Sequence, residues 1–149
     1  MRFRYRSASI IILVFFFLSC STKTDVNDSS IGHDYSEVSS MTIVFNNCLI
    51  QKEQNYLLYF YSSYCGHCKE IKDSVIEFAL RKIVPFYFVI FDSTVPIFND
   101  IEATIGASKI EEIGILGTPS LINIFEGSVR LNIAGSSKIM ELINSYLYK

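Results

Sequence analysis

The chain has 149 residues, half of them hydrophobic and 19% charged, with a formal net charge of −2. Such a composition excludes an intrinsically disordered chain, and the length holds one domain of ordinary size. The acidic balance argues against nucleic acid as a partner.

The N-terminus reads MRFRYR, followed by an apolar run from Ala8 to Leu18 and then Ser19 and Cys20. Basic, apolar and small residues in that order are the layout of a secretory signal peptide. The run is shorter than the roughly 20 apolar residues of a spanning helix, so residues 1–20 are expected to be a removable signal. Its end, FLSC, resembles a bacterial lipobox, in which the cysteine is lipidated and becomes the new N-terminus. Phe17 and Leu18 depart from the Leu and small residue favoured there. The expectation is export with Cys20 as a lipid anchor to the bacterial cell membrane; without lipidation the product is periplasmic or secreted. Loss of Arg2, Arg4 and Arg6 with the signal leaves ten basic against fifteen acidic residues, a net charge of −5.

Residues 21–40, rich in Ser, Thr, Asp and Asn and without an apolar period, read as a flexible polar tether that includes His33 as a solvated residue. From Met41 the composition turns strongly apolar, so residues 41–149 are expected to form the folded domain. Phe45, Cys48 and Leu49 have helical spacing and predict a helix over 42–51 with Cys48 as a small buried hydrophobe. Tyr56 to Tyr61 is a short unbroken apolar run, the pattern of a strand buried on both faces. Cys68, Ile71, Val75 and Phe78 stripe an amphipathic helix ending near Ile83, and Val84 to Phe91 predicts a second buried strand. Strand, helix and strand in this order imply a right-handed parallel unit. Residues 92–115 predict short helical turns near 98–105 and 108–113. SLINIF and VRLNIA flank a turn at Glu126, Gly127 and Ser128 and predict an antiparallel hairpin. Ile139, Leu142, Ile143, Tyr146 and Leu147 stripe a closing helix entered at Ser136 or Ser137. The fold class is therefore α/β, a central mixed sheet with helices on both faces.

The segment YCGHCK, residues 64–69, sits at the C-terminal end of the first buried strand, where ligands of such sheets gather. Residues three apart in a first helical turn are neighbours, so Cys65 and Cys68 are placed to form a disulfide or to share a metal. The helix N-terminus, and His67 when protonated, favour a thiolate at Cys65. Cys68, further in, suits the resolution of a mixed disulfide, and Gly66 lets another backbone approach. A structural zinc site is a poor fit, because only Cys48 and His33 supplement the pair. Lys69 after Cys68 excludes a CxxCH haem motif. A two-coordinate Cu(I) site on the two thiolates stays open as an alternative.

YCGHCK together with GILGTPSLINIFEGSVRLNIAG, residues 114–135, resembles the thioredoxin family. The resemblance covers 41–149 and implies a thioredoxin-like fold. It further implies a cis Pro119 beside the active-site cysteines, with Thr118 pairing with an extended substrate segment. Tyr64 replaces the family's tryptophan as an aromatic cover, and Tyr59 stands where thioredoxins carry a buried acid that moves the proton of the second cysteine. The combined expectation is an exported, membrane-tethered thiol–disulfide oxidoreductase with Cys65 and Cys68 catalytic, Gly66 and His67 tuning the thiol, and Tyr64, Thr118 and Pro119 binding substrate. Its expected partners are protein thiols and disulfides and a membrane redox protein. It needs no metal or organic cofactor beyond the Cys65–Cys68 pair. The alternatives are a copper chaperone and a non-catalytic thioredoxin-like adaptor.

Overall fold

The computed structural model describes residues 32–148, so the expected signal over residues 1–20 with Cys20, and residues 21–31 of the expected tether, lie outside the described residues. Five strands make one sheet: β1 (Thr42–Ile43), β2 (Asn55–Tyr61), β3 (Phe86–Ile90), β4 (Ser120–Phe125) and β5 (Ser128–Ala134), in the order β1-β3-β2-β4-β5. β1 and β2 run parallel to β3, whereas β4 is antiparallel to both β2 and β5. The α-helices are α1 (Gly66–Leu80) and α2 (Ser136–Leu147).

β2 organises the interior. Successive side chains of a strand point to opposite faces, so Leu57, Tyr59 and Tyr61 enter one core while Tyr56, Leu58 and Phe60 enter another. That is why β2 reads as an unbroken apolar run rather than an alternating one. The first core packs Ile71, Val75, Ile76, Phe78 and Ala79 of α1 with Ile139 and Ile143 of α2. The second core takes Phe45, Cys48, Val95, Ala107, Ile113 and Ile115. Helical segments thus cover both faces in unequal form, α-helices on the first, and on the second mainly coil and 3-10 turns such as Phe45–Asn47 and Ile110–Glu112.

Three expectations are corrected. The helix over 42–51 is instead β1 and a single 3-10 turn, because Thr42 and Ile43 pair with Phe88 and Val89 at the sheet edge; sheet pairing of β-branched residues outweighs the helical spacing of Phe45, Cys48 and Leu49. The tether does not extend to residue 40. Tyr35–Met41 forms a 3-10 helix in which Asp34 accepts from the Ser36 N–H at 2.9 Å and Glu37 accepts from the Asp34 N–H at 2.7 Å, the reciprocal cap of a helix start. Val38 is fully buried there, and Tyr35 stacks on Tyr61 with ring centroids 3.8 Å apart. Finally, α2 is entered through Gly135 at φ 96° rather than through a capping serine.

The connection from β3 to β4 is fastened to β5. The Gly106 N–H donates to Val129 O at 2.8 Å and the Val129 N–H to Ala107 O at 2.9 Å. Asn132, buried, donates from Nδ2 to Thr104 Oγ1 at 3.0 Å and to Gly114 O at 2.9 Å.

Candidate active site

β2 ends at Tyr61 and the chain turns through residues 62–64 into α1, which puts Cys65 at the N-cap with φ −83° and ψ 115°. An N-cap acceptor satisfies amide donors that the first turn leaves unpaired. Here the acceptor is sulfur: Cys65 Sγ receives the Cys68 N–H at 3.1 Å and donates to the Thr118 carbonyl at 3.2 Å. Cys65 is half-buried, Cys68 is only 1% exposed, and both thiols are free. Burial, then the neighbouring Cys65 thiol, push the Cys68 thiol up to about 11, since a low-dielectric site disfavours the thiolate.

The Thr118–Pro119 peptide is cis. Its loop is held on both sides: the Ser120 hydroxyl donates to Gly117 O at 2.6 Å, and the Gly135 N–H donates to Pro119 O at 2.9 Å. Cys65, Cys68 and Thr118, with Pro119 next in the chain, are therefore brought together from β2, α1 and the start of β4. Gly66 is exposed, and a Cβ added there would meet nothing within 4 Å, leaving the approach to the pair open. His67 Nδ1 lies 2.9 Å from Glu70 Oε2 on the solvent side of α1. Tyr64 is 97% exposed beside Cys65, so it stands in solvent instead of covering the thiols.

Cys48 belongs to the opposite core from Cys68, and burial pushes its thiol up to about 12. Among the described residues no three His, Cys, Asp or Glu side chains gather as a metal site, and no helix is long and apolar enough to cross a membrane. Two tyrosines pack in the first core with Cys68. Tyr59 is fully buried on β2, and Tyr35, which the composition places in the tether, lines the same cavity as Cys68. The Asp34-x-x-Glu37 cap is the one sequence signal that marks Tyr35 as part of the fold.

A dithiol at the N-terminus of a helix leaving the central strand of a mixed sheet, with a cis-proline loop hydrogen-bonded to its first sulfur, defines a thioredoxin-type redox domain. The sequence profile of the thioredoxin family matches residues 37–147, and the chain belongs to that family. Membership supports a thiol–disulfide oxidoreductase type of function and suggests protein thiols and disulfides as substrates. Similar solved structures include thioredoxin f2 of Chlamydomonas reinhardtii at 17% identity and TM-score 0.49, covering 71% of this chain and 94% of that one. Plasmodium falciparum thioredoxin is 20% identical with TM-score 0.47, over 70% and 97% of the two chains. The long form of spinach chloroplast thioredoxin f is 19% identical with TM-score 0.47, over 77% and 96%. No curated protein matches the chain.

Proposed function

We propose that the chain is an exported, membrane-tethered thiol–disulfide oxidoreductase. The observation that carries this reading is the Cys65 sulfur held between the Cys68 N–H and the Thr118 carbonyl, half-buried, with Cys68 buried one turn further on. Cys65 attacks a substrate disulfide as thiolate, forming a mixed disulfide and releasing one substrate thiolate. Cys68 then attacks the Cys65 sulfur, loses its proton, forms the Cys65–Cys68 disulfide and expels the second substrate thiolate. Two electrons pass from the pair to the substrate with no metal or organic cofactor; the reverse sequence oxidises a dithiol. Thr118 and Pro119 pair with an extended substrate backbone, and exposed Tyr64 offers it an aromatic surface. His67, when protonated, is a cation in the helix's first turn, partly neutralised by Glu70.

Export and anchoring rest on the N-terminal residues: the signal-like residues 1–20 and Cys20 as lipid attachment site imply attachment to the outer surface of a bacterial cell membrane, with a membrane redox protein as partner. Replacing Cys20 by Ala is expected to release the protein from the membrane fraction and to abolish labelling by a radioactive fatty acid; unchanged fractionation and labelling would remove the anchor.

The central test is disulfide exchange with a protein substrate. Cys65→Ser should lose it entirely, whereas Cys68→Ser should accumulate mixed disulfides visible on non-reducing gels; turnover by Cys65→Ser would end the reading. The reduction potential then fixes direction. A value near about −270 mV means a reductase supplied with electrons across the membrane, and one between about −120 and −180 mV an oxidant or isomerase.

A further inference from the structure

The surface that a substrate meets does not end at the cis-proline loop. Leu116 stands two residues before Thr118, whose carbonyl accepts from the Cys65 sulfur at 3.2 Å, so its Cα lies within about 7 Å of that of Thr118. From there a cavity of about 560 Å³ opens between the β3–β4 connection and β5. The connection lines it with Ile101, Ile105 and Leu116, and β5 with Leu131 and Ile133. Ile105 and Leu116 leave half of their surface in solvent, apolar area that a ligand can still remove from water. The charges on the walls are of both signs, Asp100 and Glu102 on the connection against Arg130 and Lys138 on β5 and α2. Such walls turn away neither an acidic nor a basic chain, so selection falls to the apolar lining. β5 is also a border of the sheet, and among the described residues its backbone bonds to the connection are those of Val129 with Gly106 and Ala107. From residue 130 onward the strand edge beside the cavity is open to main-chain pairing with an extended polypeptide.

We propose that this cavity is a substrate subsite: the polypeptide whose disulfide Cys65 attacks continues from Thr118 along Leu116 and seats an apolar side chain, two or three residues from its reactive cysteine, against Leu116 and Ile105. This rests on the reading of Cys65 as the nucleophile and of Thr118 as the substrate clamp. The substrate class is thereby an extended polypeptide with leucine-like residues close to its disulfide. Small disulfides end before the cavity and gain nothing from it. The subsite leaves the chemistry at the pair as it is and acts by holding the substrate sulfur at Cys65. A leucine seated there gives up more water than an alanine, and that difference is what the subsite reads.

The test uses the full chain in detergent with Cys20→Ser and Cys48→Ser, so that only the pair reacts. The probes are extended peptides with one cysteine, carried as its mixed disulfide with thionitrobenzoate, and with either Leu or Ala at the second and third positions on both sides of it. Attack by the Cys65 thiolate on the peptide sulfur joins the peptide to Cys65 and expels coloured thionitrobenzoate. Cys68, losing its proton to solvent, then closes the Cys65–Cys68 disulfide and expels the peptide thiolate. At sub-saturating peptide the Leu form is expected to react about tenfold faster than the Ala form. The ratio is internal to each variant, so it does not depend on the fraction of protein that is folded. Ile105→Ser and Leu116→Ser should each bring it to about threefold or less, whereas Val44→Ser, exposed beside β1 at the other border of the sheet, should keep the parent ratio. A parent ratio near one, a ratio that survives both Ile105→Ser and Leu116→Ser, or one that Val44→Ser lowers equally would overturn the subsite. So would a dimer in size-exclusion chromatography that Leu116→Ser dissociates, which would give the cavity to a second copy. A parent that releases no thionitrobenzoate from either peptide or from dithionitrobenzoate would instead overturn the oxidoreductase reading, and the subsite with it.

Discussion

Tyr59 and the buried thiols set opposing demands on this domain. An orphaned hydroxyl in a core destabilises, so Tyr59→Phe is expected to be more stable than the parent by about 1 kcal/mol, measured by thermal unfolding followed by circular dichroism; a lower melting temperature would mean that the hydroxyl is satisfied in solution. The buried thiols contribute to the alkaline limit of the reduced protein, together with buried tyrosines such as Tyr56 that burial also raises. Cys48 is raised from 9.0 to about 12 and Cys68 from 9.0 to about 11. A raised folded value means that the stability contribution is complete below 9.0 and is lost as the pH climbs through the folded value. From the two thiols together the reduced domain is therefore expected to lose about 5 kcal/mol on going from pH 9.0 to 12. Cys48→Ala, less stable at neutral pH because of its cavity, should show a shallower decline; an equally steep one would assign the loss to other groups.

At the scale of elements, the connection between β3 and β4 leads directly into the Thr118–Pro119 loop that meets Cys65. Asn132 ties it to β5 through Thr104 and Gly114, and the Phe98 ring lies where a side chain on Gly114 would go, 2.6 Å from an added Cβ. Gly114→Ala must displace Phe98 and is expected to cost about 1–3 kcal/mol. It should also speed hydrogen exchange over residues 95–117 more than in α1; uniform exchange would place the effect elsewhere. This connection was hard to read in the sequence for a physical reason. Its 3-10 turns are single turns fixed by long-range bonds to β5, whereas β2, α1 and the β4–β5 hairpin carry their periodicity or turn chemistry locally. The candidate site divides the same way. Cys65, Cys68 and the Thr118–Pro119 pair are written in short motifs, but the meeting of Tyr35 with Tyr59 and Cys68 depends on a polar segment docking across the chain, and the apolar period that normally announces packing is missing there.

Over the whole molecule, two cores share one sheet, and the segment before β1 closes the first of them. A fragment beginning at residue 42 lacks Val38 and Tyr35 and is expected to be less stable than one beginning at residue 32 by about 2–4 kcal/mol, from the lost burial and the lost ring stack. Denaturant unfolding of the two fragments measures the difference, and equal midpoints would show that the segment merely lies on the surface. The clip of Gly106 and Ala107 onto Val129 has a further consequence at this scale. A sheet's outermost strands are templates on which other chains add and polymerise. One border here, β1, is only two residues long, and the other, β5, has its backbone groups at Val129 already taken by its own chain. Copies crowded at high local density thus find the Val129 end of this border closed to an added strand, and loosening the clip is what would lengthen the edge open to self-assembly.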